Sequence, residues 1–120
     1  MKYALLIYGD EAAGASASPE EMQQVMDAWW AYEAELQKQQ GLRLAGEALQ
    51  PTRTATCVRV EGGEPVTVDG PFAETKEQLG GFYLLECKDL DEAIEWAVKC
   101  PGSKGGTIEI RPVMEFDTPG

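Results

Sequence analysis

The 120-residue chain contains no histidine. A Ser-His-Asp or Cys-His relay is therefore excluded, and so are zinc sites built on histidine. No side chain has an ordinary pKa near neutrality, so acid–base chemistry would need a shifted carboxylate, lysine, tyrosine or thiol. Positive charge is scarce: 10 Lys and Arg stand against 21 Asp and Glu, for a net charge of −11 and a pI near 4.3. Phosphate backbones are held by clustered Lys and Arg, so no nucleic-acid partner is expected. Long apolar runs are missing as well. The opening Met1–Tyr8 stretch gives way to Gly9-Asp10 too soon for a signal-peptide core or a membrane span. The cysteines are few and odd in number, Cys57, Cys87 and Cys100, with no Cys-x-x-Cys spacing. Free thiols in a reducing cytoplasm follow. No Asp-x-Asp-x-Asp-Gly loop is present, and neither a metal nor another cofactor is expected.

What is present fits one domain over residues 1–120, with 43% hydrophobic residues, enough for a core of its own. Lys2 to Tyr8 is apolar on both faces and reads as a central strand. Gly9 to Ala17 reads as a loop. Ser18-Pro19-Glu20-Glu21 is a capping box with proline at the first helical position, opening a helix that stops at Gly41. Met22, Val25, Met26, Trp29, Tyr32 and Leu36 share one helix face, with Trp30 to one side as a candidate subunit contact and Glu33 at the edge, either reaching out to water or placing an acid at the mouth of a pocket. Leu42–Ala48, Thr54–Glu61, Val66–Val68 and Phe82–Cys87 read as strands, the second and third joined as a hairpin through Gly62-Gly63-Glu64-Pro65. Asp69-Gly70-Pro71-Phe72 is a turn, and Ala73–Leu79 fits one helical turn. Asp89 with Glu92 caps a second helix that Pro101-Gly102 ends, and Thr107–Val113 is the last strand. The order β-α-β-β-β-β-α-β contains the split βαβ…βαβ frame of a ferredoxin-like α+β fold, an antiparallel sheet with two helices on one face. The other sheet face is not polar, and a second subunit packed sheet to sheet is its simplest cover.

The string Asp69-Gly70-Pro71-Phe72-Ala73-Glu74-Thr75-Lys76-Glu77-Gln78-Leu79-Gly80-Gly81 resembles the DGPF-motif group of the YCII-related family. So do the opening Lys2–Glu11, Ser18-Pro19-Glu20-Glu21, Asp91-Glu92-Ala93 and Glu109-Ile110-Arg111-Pro112-Val113, which spread the resemblance over the whole chain. It implies a ferredoxin-like protomer that forms a homodimeric α/β barrel. Most members have no assigned reaction. Some are encoded beside, or fused to, alternative sigma factors, which implies association with such a regulator. One related branch is a dehydrochlorinase resting on a His-Asp pair. The Asp corresponds to Asp69, but its partner is missing here. Many members carry a histidine just before the last strand, where this chain has Ser103-Lys104-Gly105-Gly106.

Two functions follow as expectations. The first is a small-molecule-binding protein with a dimer cavity, able at most to carry out proton transfer or elimination without a cofactor. Asp69, in its fixed turn, would be the base. Arg59 and Arg111, each mid-strand, would hold a small anionic ligand by bidentate contacts. Tyr8 would supply a hydroxyl, Lys76 an ammonium and Phe72 a ring at the same cavity. The blander expectation pairs Arg59 and Arg111 with Glu61, Glu109 or Glu47 and leaves the Glu74, Lys76 and Glu77 charges solvated. The second function is an accessory protein acting with a sigma factor or other regulator, where an acidic surface docks on a basic partner.

Overall fold

The computed structural model describes residues 1–71 and 73–117. Strand β1 (Lys2–Gly9) leads through a short helix α1 (Glu11–Ala15) into the long helix α2 (Pro19–Lys38). Strand β2 (Arg43–Ala48) follows, then a 3-10 turn at Thr52–Thr54. Strands β3 (Thr56–Glu61) and β4 (Glu64–Asp69) form a hairpin. Strand β5 (Gln78–Glu86), helix α3 (Leu90–Lys99), a 3-10 turn at Pro101–Ser103 and strand β6 (Thr107–Pro112) complete the chain. The main sheet runs β2-β5-β1-β6, with every neighbouring pair antiparallel. This is the ferredoxin-like order, with β3 and β4 inserted between its second and third strands as a separate two-stranded arm.

Local chemistry accounts for the helix starts. The Ser18 side chain accepts from the Glu21 N–H while the Glu21 carboxylate accepts from the Ser18 N–H, a complete capping box ahead of Pro19. Asp89 caps α3 by accepting from the Glu92 N–H. Asp10 accepts from the Ala12 and Ala13 N–H groups and starts α1, inside the stretch expected to be a loop. The Ala73–Leu79 segment forms no helical turn. Strand β5 instead begins at Gln78, and Gly80-Gly81 lie within it. Gly81 is needed there because a Cβ would stand 2.9 Å from the Glu47 carbonyl on β2.

Helices α2 and α3 cover one face of the sheet. Tyr3 and Leu5 of β1, Tyr83 and Leu85 of β5, Tyr32 and Leu36 of α2, and Ala93, Trp96 and Ala97 of α3 form the core, joined by Leu42, Cys87 and Cys100. Tyr32 stacks edge-on against Trp29, Tyr83 and Trp96 and donates its hydroxyl to the Trp96 carbonyl at 2.8 Å. The apolar stripe expected along the whole of α2 is buried only over its second half. Met22, Val25 and Met26 are exposed: among the described residues the core takes α2 side chains only from Trp29 onward.

Beneath the sheet edge lies a charged cluster. The Glu33 carboxylate of α2 is paired with the Arg43 guanidinium of β2 and accepts from the Tyr83 hydroxyl at 2.8 Å and from Gln37 at 3.0 Å. Arg43 also lies over the Tyr83 ring, 5.7 Å from its centre. Glu33 is thus not a side chain reaching for water at the edge of a stripe. Burial works against its charge, but the bonds from Gln37 and Tyr83 and the Arg43 guanidinium outweigh that and hold its pKa below the ordinary carboxylate value. The same burial and the same carboxylate push the Tyr83 hydroxyl well above its ordinary value.

A folded-state pKa below the unfolded one contributes stability that is present above the unfolded value and is lost as pH falls through the folded one. Glu33→Gln is therefore expected to cost about 1–3 kcal/mol near pH 7. The gap to the parent protein should narrow as pH falls from the ordinary carboxylate value of about 4.3 towards the lower folded-state one, where the parent carboxylate becomes protonated too. Urea denaturation across a pH series measures both.

Candidate site on the open sheet face

Because side chains alternate along a strand, each residue of β1 facing the helices is followed by one facing away. Ala4, Leu6 and Tyr8 point to the uncovered side. The register places Leu84 and Arg111 beside Ala4, Phe82 and Glu109 beside Leu6, and Thr107 beside Tyr8. The open face therefore has an apolar centre of Leu6, Phe82 and Leu84. It is bordered on the β6 edge by Thr107, Glu109 and Arg111, and on the β2 edge by Ala45 and Glu47. The Tyr8 hydroxyl points to the Glu109 carboxylate at 3.4 Å. Glu109 and Arg111 lie on the same face of β6, about 7 Å apart along the strand. Tyr8, Glu109 and Arg111 thus form one polar row against an apolar floor.

Of the residues singled out from sequence, Tyr8 and Arg111 share this face. Arg59, Asp69 and Lys76 lie elsewhere and are exposed, and Phe72 lies outside the described residues. Arg59 and Asp69 both belong to the β3–β4 arm. Asp69 pairs with Thr56, and Arg59 pairs with Val66, three residues further along β3, which puts the two on opposite faces of the ribbon. Within one protomer the expected base and anion holder therefore do not converge. Among the described residues, neither Arg59 nor Arg111 has a carboxylate within ion-pair distance. Two clefts occur on other surfaces. One of about 390 Å³ is lined by Gln39, Gln40, Gly41, Leu42, Glu86, Glu92 and Trp96. The other, about 330 Å³, lies between α3 and β6. Neither is bordered by Tyr8, Asp69, Arg59, Arg111 or Lys76.

The motif segment is tied down by a network that sequence alone did not mark. Glu11 accepts from the Thr52 N–H at 2.9 Å and from the Thr52 hydroxyl at 2.8 Å. Its own N–H donates to the Gln78 side chain at 2.9 Å, and Gln78 donates in turn to the Thr75 carbonyl at 2.6 Å. Thr107 donates to Glu77 at 2.8 Å, and the Gly70 N–H donates to the Ala55 carbonyl at 2.6 Å. The end of β1, the 3-10 turn, the root of the arm and the start of β6 are thereby joined. The signal was an acid just inside the first turn of a short helix, hidden because α1 itself was not expected.

The thiols are quiet. Cys87 and Cys100 are buried, and burial pushes the Cys87 pKa up to about 11 and raises that of Cys100. Cys57 is half-buried and within 3.3 Å of the Gly70 carbonyl. Among the described residues no group of three or more Cys, Asp or Glu is arranged to hold a metal ion. Among the described residues no helix is long and apolar enough to cross a membrane.

The sheet order, the two helices on one face and the polar row on the other define a ferredoxin-like α+β protomer. Residues 1–117 match the model of the YCII-related domain, and the chain belongs to that family. It is 40% identical over 118 residues to an uncharacterised protein of Rhizobium meliloti (strain 1021), covering 97% of this chain and 94% of that one. Among solved structures it resembles 5-chloro-2-hydroxyhydroquinone dehydrochlorinase from Burkholderia phenoliruptrix AC1100, in complex with 2,5-dihydroxybenzoquinone. The TM-score is 0.54 at 14% identity, over 97% of this chain and 96% of that one. At that identity the likeness is one of fold.

The stretch before β6 shows what the absence of histidine means in space. Gly105 has φ +90, and a Cβ on Gly106 would run into the Tyr8 carbonyl and stand 2.8 Å from the Gly102 carbonyl. The backbone closes directly on the end of β1, so no side chain fits at Gly106. Gly106→Ala is expected to cost about 1–3 kcal/mol of stability, and Gly106→His at least as much. Equilibrium urea unfolding of both variants tests this, and a neutral Gly106→His would show that the loop has room for the side chain.

Proposed function

We propose that the protein is a small-molecule-binding homodimer whose cavity forms where the open sheet faces of two copies meet. The observation that carries this is the open face itself, an apolar floor of Leu6, Phe82 and Leu84 beside the row of Tyr8, Glu109 and Arg111. A lone protomer leaves this floor facing water, which favours a second copy as its cover. The ligand that fits is a small flat molecule with an anionic group. Arg111 would hold the charge, Tyr8 would meet a hydroxyl or carbonyl, and the floor would take the ring. Without histidine, proton transfer in such a cavity rests on a carboxylate, and Glu109 is the one that lies beside a hydroxyl. Asp69 and Lys76 would join it from the arm and the motif loop. No metal or other cofactor is part of this reading. The three free cysteines support a reducing cytoplasm as its place of work.

A second reading, an accessory role beside a sigma factor or other regulator, is favoured by the uncovered half of α2. There Met22, Val25, Met26 and the 65% exposed Trp30 form an apolar surface on a strongly acidic chain.

The first reading is tested with 2,5-dihydroxybenzoquinone, a flat ring with acidic hydroxyls, as the probe. The parent protein is expected to have the mass of two chains in solution and to bind the probe in a titration. Arg111→Ala should weaken binding about tenfold or more, the size of a lost charge-assisted hydrogen bond. A parent protein that leaves the probe unbound, or an Arg111→Ala variant that binds it as well as the parent, would count against this site.

A further inference from the structure

The β3–β4 arm is the part of the molecule that its own protomer leaves least explained. All but one of its twelve strand residues are exposed, including Val58 and Val60 on one face and Val66 and Val68 on the other. Two-stranded ribbons of this length are marginal in water without a surface to pack on. The arm also spreads the chain. Its radius of gyration is 16.8 Å, and it measures 51 × 49 × 19 Å, whereas a compact chain of this length has a radius of about 13–14 Å.

Two unpaired charges match across this gap. Arg59 is the only cation in β3 or β4 and has Val66 as its cross-strand neighbour. Glu109 sits on the open sheet face with Leu6 as its cross-strand neighbour and only the Tyr8 hydroxyl as a partner among the described residues. Covering either in an interface without an opposite charge would be strongly unfavourable. Area points the same way. Four strands of about six residues present a footprint of about 400 Å², whereas a stable interface covers about 800 Å² on each partner. The sheet face alone is too small, and the arm supplies further surface with apolar side chains on it.

We infer that the arm of each copy lies on the open sheet face of the other, with Arg59 paired to Glu109 of the second copy, so that the ligand site is complete only in the dimer. The inference rests on the proposed function in that it uses the same open face. It adds that one cation of the site comes from the other chain. With Glu109 neutralised by the incoming Arg59, Arg111 is left free for the anionic group of the ligand. Two guanidinium groups then flank the Tyr8 hydroxyl, one from each copy. This also removes the difficulty that Arg59 and Asp69 face opposite ways, since Arg59 acts in its neighbour's cavity rather than beside its own Asp69.

The test is charge reversal in trans. Arg59→Glu and Glu109→Arg are each expected to weaken dimerisation at least tenfold by sedimentation equilibrium, since each homodimer then carries two repulsive contacts. An equimolar mixture of the two variants should restore dimers to within about threefold of the parent, because both contacts of the mixed dimer are again opposite in sign. Glu47→Arg, which alters the other carboxylate of the open face, should not complement Arg59→Glu. Arg59→Ala, with circular dichroism of every variant, separates loss of the contact from loss of the fold: a folded alanine variant with weakened dimerisation supports the pairing. Single variants that dimerise like the parent, a mixture that gains nothing, or complementation by Glu47→Arg would each overturn the inference. Titration with 2,5-dihydroxybenzoquinone runs alongside. If the parent binds the probe but the charge pairs show no complementation, the arm contact falls and the cavity stands. If complementation holds but the parent leaves the probe unbound, the arm contact stands and the ligand reading falls.

Discussion

Strand β1 is apolar on both faces, but the chain has helices for only one of them. Leu5, between Tyr83 and Ile110 in the sheet, is fully buried under α2 and α3. Leu6, the next residue, lies between Phe82 and Glu109 on the face turned away from the helices and is only half-buried. Each large apolar side chain moved fully out of water contributes about 1.5–3 kcal/mol. One side of the central strand therefore drives folding, and the apolar side chains on the other side take no part in the helix-covered core. The lean core, the open floor and the unsupported arm all follow from a sheet with one helical layer. The polar row of Tyr8, Glu109 and Arg111 follows from the same constraint, because it is carried by the face that the helices do not reach.

The helix-covered side has its own polar element, and it serves a different purpose. In the set Glu33, Arg43, Tyr83 and Gln37 the carboxylate is ion-paired with the guanidinium and accepts hydrogen bonds from the other two. Breaking such a pair on one side is more costly than never having had it, since a charge is left without its partner. The set fastens the edge strand β2 to α2, and Gly46 allows it: a Cβ there would stand 2.6 Å from the Tyr83 ring. An acid that seems from its helical position to look into a pocket is in fact engaged in holding the sheet edge.

What could be read in the sequence was local. The caps at Ser18 and Asp89 and the stops at Gly41 and Pro101-Gly102 depend on residues three or four positions apart, and they appear where the spacing puts them. The strand order followed from counting apolar segments against the ferredoxin-like frame. Less legible was whatever depends on contacts far apart in the chain. That the first half of α2 is exposed cannot be seen in its stripe, which has the same period throughout. Gly80-Gly81 precede the apolar run that opens at Phe82, yet both lie inside β5, where the Glu47 backbone passes too close to Gly81 for a side chain. Of the site residues, Tyr8 and Arg111 fall on one face by strand alternation alone. The separation of Arg59 from Asp69 depends on the pairing register of the arm, which alternation within β3 does not give. Glu11 and Thr52 are 41 positions apart, and nothing in either segment announces the other.

The loop before β6 has no room for a side chain at its last residue. Gly105 adopts a left-handed backbone and Gly106 lies against the Tyr8 and Gly102 carbonyls, so the loop folds down over the end of β1. The same closure brings β6 into register with Tyr8 at Thr107, which sets Glu109 within reach of the Tyr8 hydroxyl two residues on. The glycines that leave no room for an imidazole are therefore part of what builds the Tyr8–Glu109–Arg111 row. The polar side chains of this face are accordingly a carboxylate, a phenol and a guanidinium, and the guanidinium is the group suited to holding a small anion.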